Sequence, residues 1–150
     1  MSVVVGAPMP AALAEAWVLD GRGGSHLREL VAGRPAVLVF LRHSGCVACS
    51  EHVALLAPRL HELTRLGVAV VYIGNGTPNF IEGFVDRNAI DANKQSTMEG
   101  DHYQQGGVLV TDRDGCVVYA HADRATGDHA PLPDVIEAAM RVAVQDAMVV

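Results

Sequence analysis

The sequence predicts an α/β protein, a three-layer α/β/α domain with a mixed central sheet and an added N-terminal strand. Two short apolar runs, 36–41 and 68–73, read as strands buried on both faces, as central parallel strands are. The segment between them has helical periodicity, so 36–73 forms a βαβ unit with a right-handed crossover. Two further apolar runs, 107–111 and 116–120, flank Asp112-Arg113-Asp114-Gly115 and predict an antiparallel hairpin. At 150 residues the chain is one domain that can bury a core without disulfide or metal staples.

In chain order, 16–20 is a short first strand ended by Gly21-Arg22-Gly23-Gly24, with Trp17, the only tryptophan, expected to plug the core. Ser25 is the expected cap of a short helix through Val31, with Glu29 one position late for a capping box. The helix opened by Cys46 runs to about Leu66. Cys49, Val53, Leu56, Leu60 and Leu63 form its buried stripe, and Pro58 is expected to kink it. Gly74-Asn75-Gly76 should turn the chain, and Thr77-Pro78 should start a helix to about Asn88 with Phe80, Ile81, Phe84 and Val85 inward. Residues 89–106 are polar and aperiodic, a loop length that is uncommon in a compact domain unless functional. A loop carrying His121, Asp123, Arg124, Asp128 and His129 leads to a last helix, 133–147, burying Val135, Ile136, Ala139, Met140 and Ala143.

Net charge is −6, with Lys94 the single lysine, which excludes a basic nucleic-acid or anionic-membrane surface. No stretch approaches a membrane span, and Met1 to Pro10 has no basic leader, so a cytoplasmic protein is expected. In that compartment a C-x-x-C signals redox or metal chemistry rather than a structural bridge.

The chemistry centres on Cys46 and Cys49, one turn apart where the central strand turns into its helix. The helix start favours negative charge on the first thiol, with Arg42, His43 and His52 as local helpers. Cys46, expected at the exposed helix end, is the attacking thiolate. Cys49, at the head of the buried stripe, closes the intramolecular disulfide. Zinc completed by His52 or His43, an inert site, and two chance apolar cysteines are the rival readings. In the thioredoxin topology, which the element order resembles, the hairpin tip lies at the sheet end away from the dithiol, so Cys116 is expected to be a buried filler there. In that topology the far end of the hairpin strand returns toward the dithiol, so His121, Arg124, Asp128 and His129 should line one edge of its face.

The element order with a dithiol at the first crossover helix resembles the thioredoxin fold. Phe40-Leu41-Arg42-His43-Ser44-Gly45-Cys46-Val47-Ala48-Cys49 with Glu51-His52 resembles the peroxiredoxin-like 2 group of the alkyl hydroperoxide reductase / thiol-specific antioxidant superfamily. The resemblance continues through Gly67–Gly74, Gly76-Thr77-Pro78, Gln105–Val108, Asp112–Gly115, Tyr119–His121 and Gly127–His129. It implies a thioredoxin-like fold and a redox-active dithiol acting on a peroxide, disulfide or organic endoperoxide. It implies no bound cofactor, with electrons from thioredoxin or a similar thiol donor, and leaves a homodimer open. Together with the residue reading above, the expected site has Cys46, Cys49, Arg42 and His43 in catalysis, and Gly45, His52, Gly106, His121, Arg124 and His129 on the substrate face, with no metal.

Three departures bear on the chemistry. Authentic peroxiredoxins place a threonine three residues before the peroxidatic cysteine, where this chain has His43, and a proline further upstream, where it has Val39. They place an arginine, and thioredoxins a cis-proline, where this chain has Gly106. Relatives also carry an extra strand and helix where 89–106 stands. Fewer donors to polarise an O–O bond predict slow reaction with simple peroxides. A pathway enzyme acting on one organic substrate and a redox-inert binding or regulatory module therefore stand as alternatives to a general reductase.

Overall fold

The computed structural model describes residues 2–19, 23–42, 46–75, 83, 84, 86, 95–98 (backbone only) and 105–149. The elements are α1 (Ala11–Ala14), β1 (Trp17–Leu19), β2 (Gly24–His26), α2 (Leu27–Val31), β3 (Ala36–Phe40), α3 (Val47–Arg65), β4 (Ala69–Asn75), β5 (Gln95–Met98), β6 (Gly107–Thr111), β7 (Val117–Ala122) and α4 (Leu132–Val149).

The strands form one sheet in the order β2-β1-β5-β4-β3-β6-β7. β3 pairs parallel with β4 and antiparallel with β6, so the sheet is mixed. Alternation along β3 splits the core. Val37 and Val39 face the side covered by α3 and α4, while Ala36 and Leu38 face Leu13, Leu27 and Val31 of α1 and α2. Helices on both faces make this the three-layer, thioredoxin-like α/β/α domain that the strand pattern predicts. Among the described residues no helix is long and apolar enough to cross a membrane.

β3 is central because Ala36–Val39 offer apolar side chains to both faces and are fully buried. The Leu41 N–H donates to the Ile73 carbonyl (2.7 Å), extending the parallel ladder one residue past β3 toward Cys46. The α3 stripe is as predicted, with Cys49, Val53, Leu56, Leu60 and Leu63 all buried, and the helix is one element through Pro58. Gly67, at φ +85°, follows its C-cap Leu66.

Several expectations are corrected. Trp17 is 56 % exposed, not a core plug, because Val18 takes the inward position of the strand. The indole lies over Gly24 of the paired strand and edge-on to His26 (5.1 Å, 82°). Ser25 belongs to β2, and His26 caps α2 instead, its N–H donating to Glu29 Oε2 (3.2 Å), which puts Glu29 in register as the box residue. The segment 89–106 contains a strand, β5, which bridges β4 and β1 and joins the N-terminal hairpin to the sheet. Gly74 and Asn75 extend β4 rather than turning. In α4, Ala138 and Val142 are buried, while Ile136 is half-buried and Met140 39 % exposed, a rotation of the predicted inward face. The expected Thr77-Pro78 cap and most of the 80–88 helix lie outside the described residues. Phe84 is buried among the α3-side residues.

Candidate active site

The dithiol sits where β3 hands over to α3. Cys46 is the N-cap of α3, with extended backbone (φ −75°, ψ 113°), and its sulfur accepts the Cys49 N–H at 3.4 Å. A cap must fold its side chain back over the first turn to reach an unpaired N–H. That is why Cys46 is buried, 6 % exposed, and not projecting from the helix end as expected. Cys49 is 2 % exposed, and both thiols belong to one apolar cluster with Val39, Leu41, Val53 and Ala130. No disulfide links Cys46, Cys49 or Cys116 in this structure. Cys116 is half-buried rather than buried, bridged to Pro8 beside the hairpin turn and at the sheet end away from the dithiol.

Beside the dithiol lies a polar cluster that one carboxylate organises. β7 runs two residues past its predicted end, so His121 is a strand residue, paired with Val108, rather than a loop residue. The Asp123 N–H then donates to the Gly106 carbonyl (3.0 Å), which holds this buried aspartate at the strand end. Asp123 Oδ2 accepts from His129 Nδ1 (3.1 Å), and Oδ1 lies 3.6 Å from His121 Nε2, which donates to the Asp128 carbonyl (2.9 Å). The His129 ring stacks on His52 of α3, with centroids 4.4 Å apart and planes within 20°. Arg42 Nη1 donates to Thr126 Oγ1 (2.5 Å) and ties the strand-to-helix turn to the same loop. Arg42 Nε, His52 Nε2 and His129 Nε2 are buried with no hydrogen-bond partner among the described residues.

Burial, then the neighbouring imidazoles of His129 and His121, lowers the His52 pKa from 6.5 to about 4. Burial raises Asp123 from the ordinary 3.8, against the opposing pull of its bond to His129. The imidazole signals of His52 should therefore titrate near pH 4 by NMR, and a midpoint at or above 6.5 would show a solvated ring. The linkage sign follows. Between pH 6.5 and 4 the unfolded chain gains a proton at His52 that the folded chain does not, so this contribution to stability, intact above 6.5, is lost as pH falls toward 4. Asp123, shifted upward, works in the opposite sense in acid.

Gly106 occupies the position at which the resemblance puts arginine or cis-proline, and packing explains the glycine. A Cβ there would lie 2.7 Å from both Asp123 Oδ2 and the Phe40 carbonyl, the latter rigid backbone. Gly106→Ala should cost roughly 1–3 kcal/mol in urea denaturation and, by displacing Asp123, shift the His129 ring signals; a wild-type melt and spectrum would overturn this. On the other face of the sheet, at the same end, is an open cavity of about 290 Å³ whose lining includes Val3, Leu13, Phe40, Leu109, Gly106 and His121. Neither cysteine lines it.

Of the residues singled out by sequence, Cys46, Cys49, His52, His121, His129, Gly106 and Arg42 are at or near one end of the sheet. Arg124 is not drawn in. Its side chain is 91 % exposed, and it contacts Asp128 through its backbone N–H (2.9 Å) and its guanidinium (3.8 Å). His43 and Gly45 lie outside the described residues. Sequence reasoning gave no site role to Asp123 or Thr126, although an acid between two histidines of one loop was the available signal. Among the described residues no group of three or more His, Cys, Asp or Glu side chains is arranged to hold a metal.

No protein-family model matches the chain. It is 28 % identical to Peroxiredoxin-like 2C of Homo sapiens, over 88 % of this chain and 80 % of that protein. It is 27 % identical to the chloroplastic Thioredoxin-like protein AAED1 of Arabidopsis thaliana, over 81 % of this chain and 68 % of that protein. Among solved structures it superposes on the thiol:disulfide interchange protein DsbE of Chlorobium tepidum (TM-score 0.67, 18 % identity, 93 % and 99 % of the two chains). It also superposes on the bacterioferritin comigratory protein of Xanthomonas campestris (TM-score 0.69, 13 % identity, 93 % and 99 %). At these identities the structural matches bear on the fold alone.

Proposed function

We propose, from the premise that this chain groups with the peroxiredoxin-like 2 proteins on a thioredoxin-like scaffold, that it is a dithiol oxidoreductase in which Cys46 attacks and Cys49 resolves. The observation that carries the reading is the pair itself, with Cys46 capping α3 and taking the Cys49 N–H on its sulfur. A donor at a helix N-terminus is suited to a sulfur anion.

The Cys46 thiolate attacks one sulfur of a disulfide and expels the other as thiolate, or attacks a peroxide oxygen and expels alkoxide or hydroxide, leaving sulfenic acid. The Cys49 sulfur then attacks Cys46, releasing the second substrate thiolate or water. The dithiol loses two electrons and the substrate gains them. A thioredoxin-type thiol donor returns the electrons, and no bound cofactor is needed. Because Sγ of Cys46 is folded over the cap, it must turn outward to meet a substrate. That requirement, with Gly106 and His43 in place of the peroxiredoxin donors, favours a disulfide or one particular organic substrate over simple peroxides.

Mass spectrometry after stoichiometric oxidation should find an intramolecular Cys46–Cys49 disulfide with Cys116 still reduced. Oxidation of Cys116 alone, or of neither cysteine in the pair, overturns the reading and favours a redox-inert binding module.

A further inference from the structure

We infer that Asp123 and His129 form a proton-accepting dyad for the dithiol, in which Asp123 orients the imidazole and His129 takes the Cys49 proton, directly or through one water, as Cys49 closes the disulfide. This rests on the dithiol reading above and deepens it by naming the proton's destination.

Four observations converge on it. Asp123 Oδ2 accepts from His129 Nδ1 (3.1 Å), which fixes the hydrogen on Nδ1 and leaves Nε2 with its lone pair. An imidazole held by a buried carboxylate at one nitrogen and open at the other is the arrangement of a general base. Nε2 is buried and has no partner among the described residues, a feature shared by His52 Nε2; of the two rings it is His129 that the Asp123 carboxylate holds. The stack on His52 places the ring beside α3, and His52 follows Cys49 by three residues, the spacing of neighbours on one helix face. Ala130, next in chain to His129, packs in the cluster that holds both cysteines. Among the described residues, the other ionisable groups at this end of the sheet are His121 on β7, Asp128 in the loop, Arg42 after β3, Cys46 at the α3 cap and Cys49 on α3; Arg124 points to solvent. His52, whose basicity burial and the neighbouring imidazoles lower, serves as the platform on which the His129 ring stacks.

The balance is simple. As the Cys49 proton passes to His129 Nε2, the Cys49 sulfur attacks Cys46, the Cys46–substrate sulfur bond breaks, and the departing thiolate takes its proton from His129 or water.

Reaction with a chromogenic aryl disulfide, dithiobis-nitrobenzoate, in a Cys116→Ser background separates the steps. The first equivalent of coloured thiolate reports attack by Cys46, and the second reports closure by Cys49. His129→Asn should leave the first phase within about twofold but slow the second about 10- to 100-fold at neutral pH. The gap should narrow as pH rises, because hydroxide can then take the thiol proton without the dyad. Asp123→Asn should slow the same phase with the same pH dependence. A second phase that is unchanged, or slowed equally at every pH, overturns the inference and leaves the dithiol reading standing. Should His129→Asn fold poorly, His129→Ala with added imidazole gives the answer, since recovery of the second phase supports the dyad and no recovery refutes it. Absence of the first phase in the Cys116→Ser parent overturns the dithiol reading and this inference with it.

Discussion

Cys46→Ser is expected to abolish turnover of any disulfide substrate, a loss of roughly a thousandfold or more, because a serine hydroxyl at that cap is not ionised near neutral pH. Cys49→Ser should lose turnover as well but keep the first half of the reaction. With no sulfur left to attack Cys46, the mixed disulfide accumulates and can be isolated without reductant, its mass identifying what was reduced. The serine hydroxyl at 46 can still accept the N–H of residue 49, so Cys46→Ser should melt close to wild type, which separates chemistry from folding, whereas Cys49→Ser puts a hydroxyl into the apolar cluster and should cost about 1–3 kcal/mol. Full turnover in either variant would remove the pair from the mechanism.

Leu38→Ala should lower stability by roughly 2–5 kcal/mol, a large part of the 5–15 kcal/mol typical of a domain. Leu38 is fully buried at the middle of β3, paired with Val71 on one side and Leu109 on the other. Its side chain faces the layer built from Leu13, Leu27 and Val31. Those residues belong to helices of four and five residues that are pinned by packing rather than by their own hydrogen bonds. The cavity therefore also loosens α1 and α2. The urea midpoint should fall with little change in slope, and the melting temperature should drop by about 4–20 °C. Met148→Ala, at a site 80 % exposed, should stay within about 0.5 kcal/mol of wild type and serves as the control. A Leu38→Ala value that small would mean the central strand is not where the core energy lies.

The comparison of Leu38 with Trp17 shows what local pattern can carry. Leu38 belongs to a run apolar at every position, so burial follows whichever face it takes. Trp17 sits in a three-residue strand where parity matters, and Val18 holds the inward place. Residue size argued for the core, whereas the cross-strand gap over Gly24 received the indole. β5 is a second case. Gln95–Met98 has no strand pattern of its own, and only the open edges of β4 and β1 make it a strand.

By itself, the chain's sequence determined the βαβ unit, the hairpin turned at Asp112–Gly115, the buried stripe of α3 and the dithiol at its head, because each depends on spacings within a few turns or strands. Only the tertiary structure decided that Cys46 folds inward as a cap, that the Cβ space of Gly106 is taken by Asp123 and Phe40, and that Asp123 lies between His121 and His129. It also decided that His129, 77 residues beyond His52, stacks on it. These contacts join segments far apart in sequence through burial and hydrogen-bond satisfaction, which no local spacing encodes.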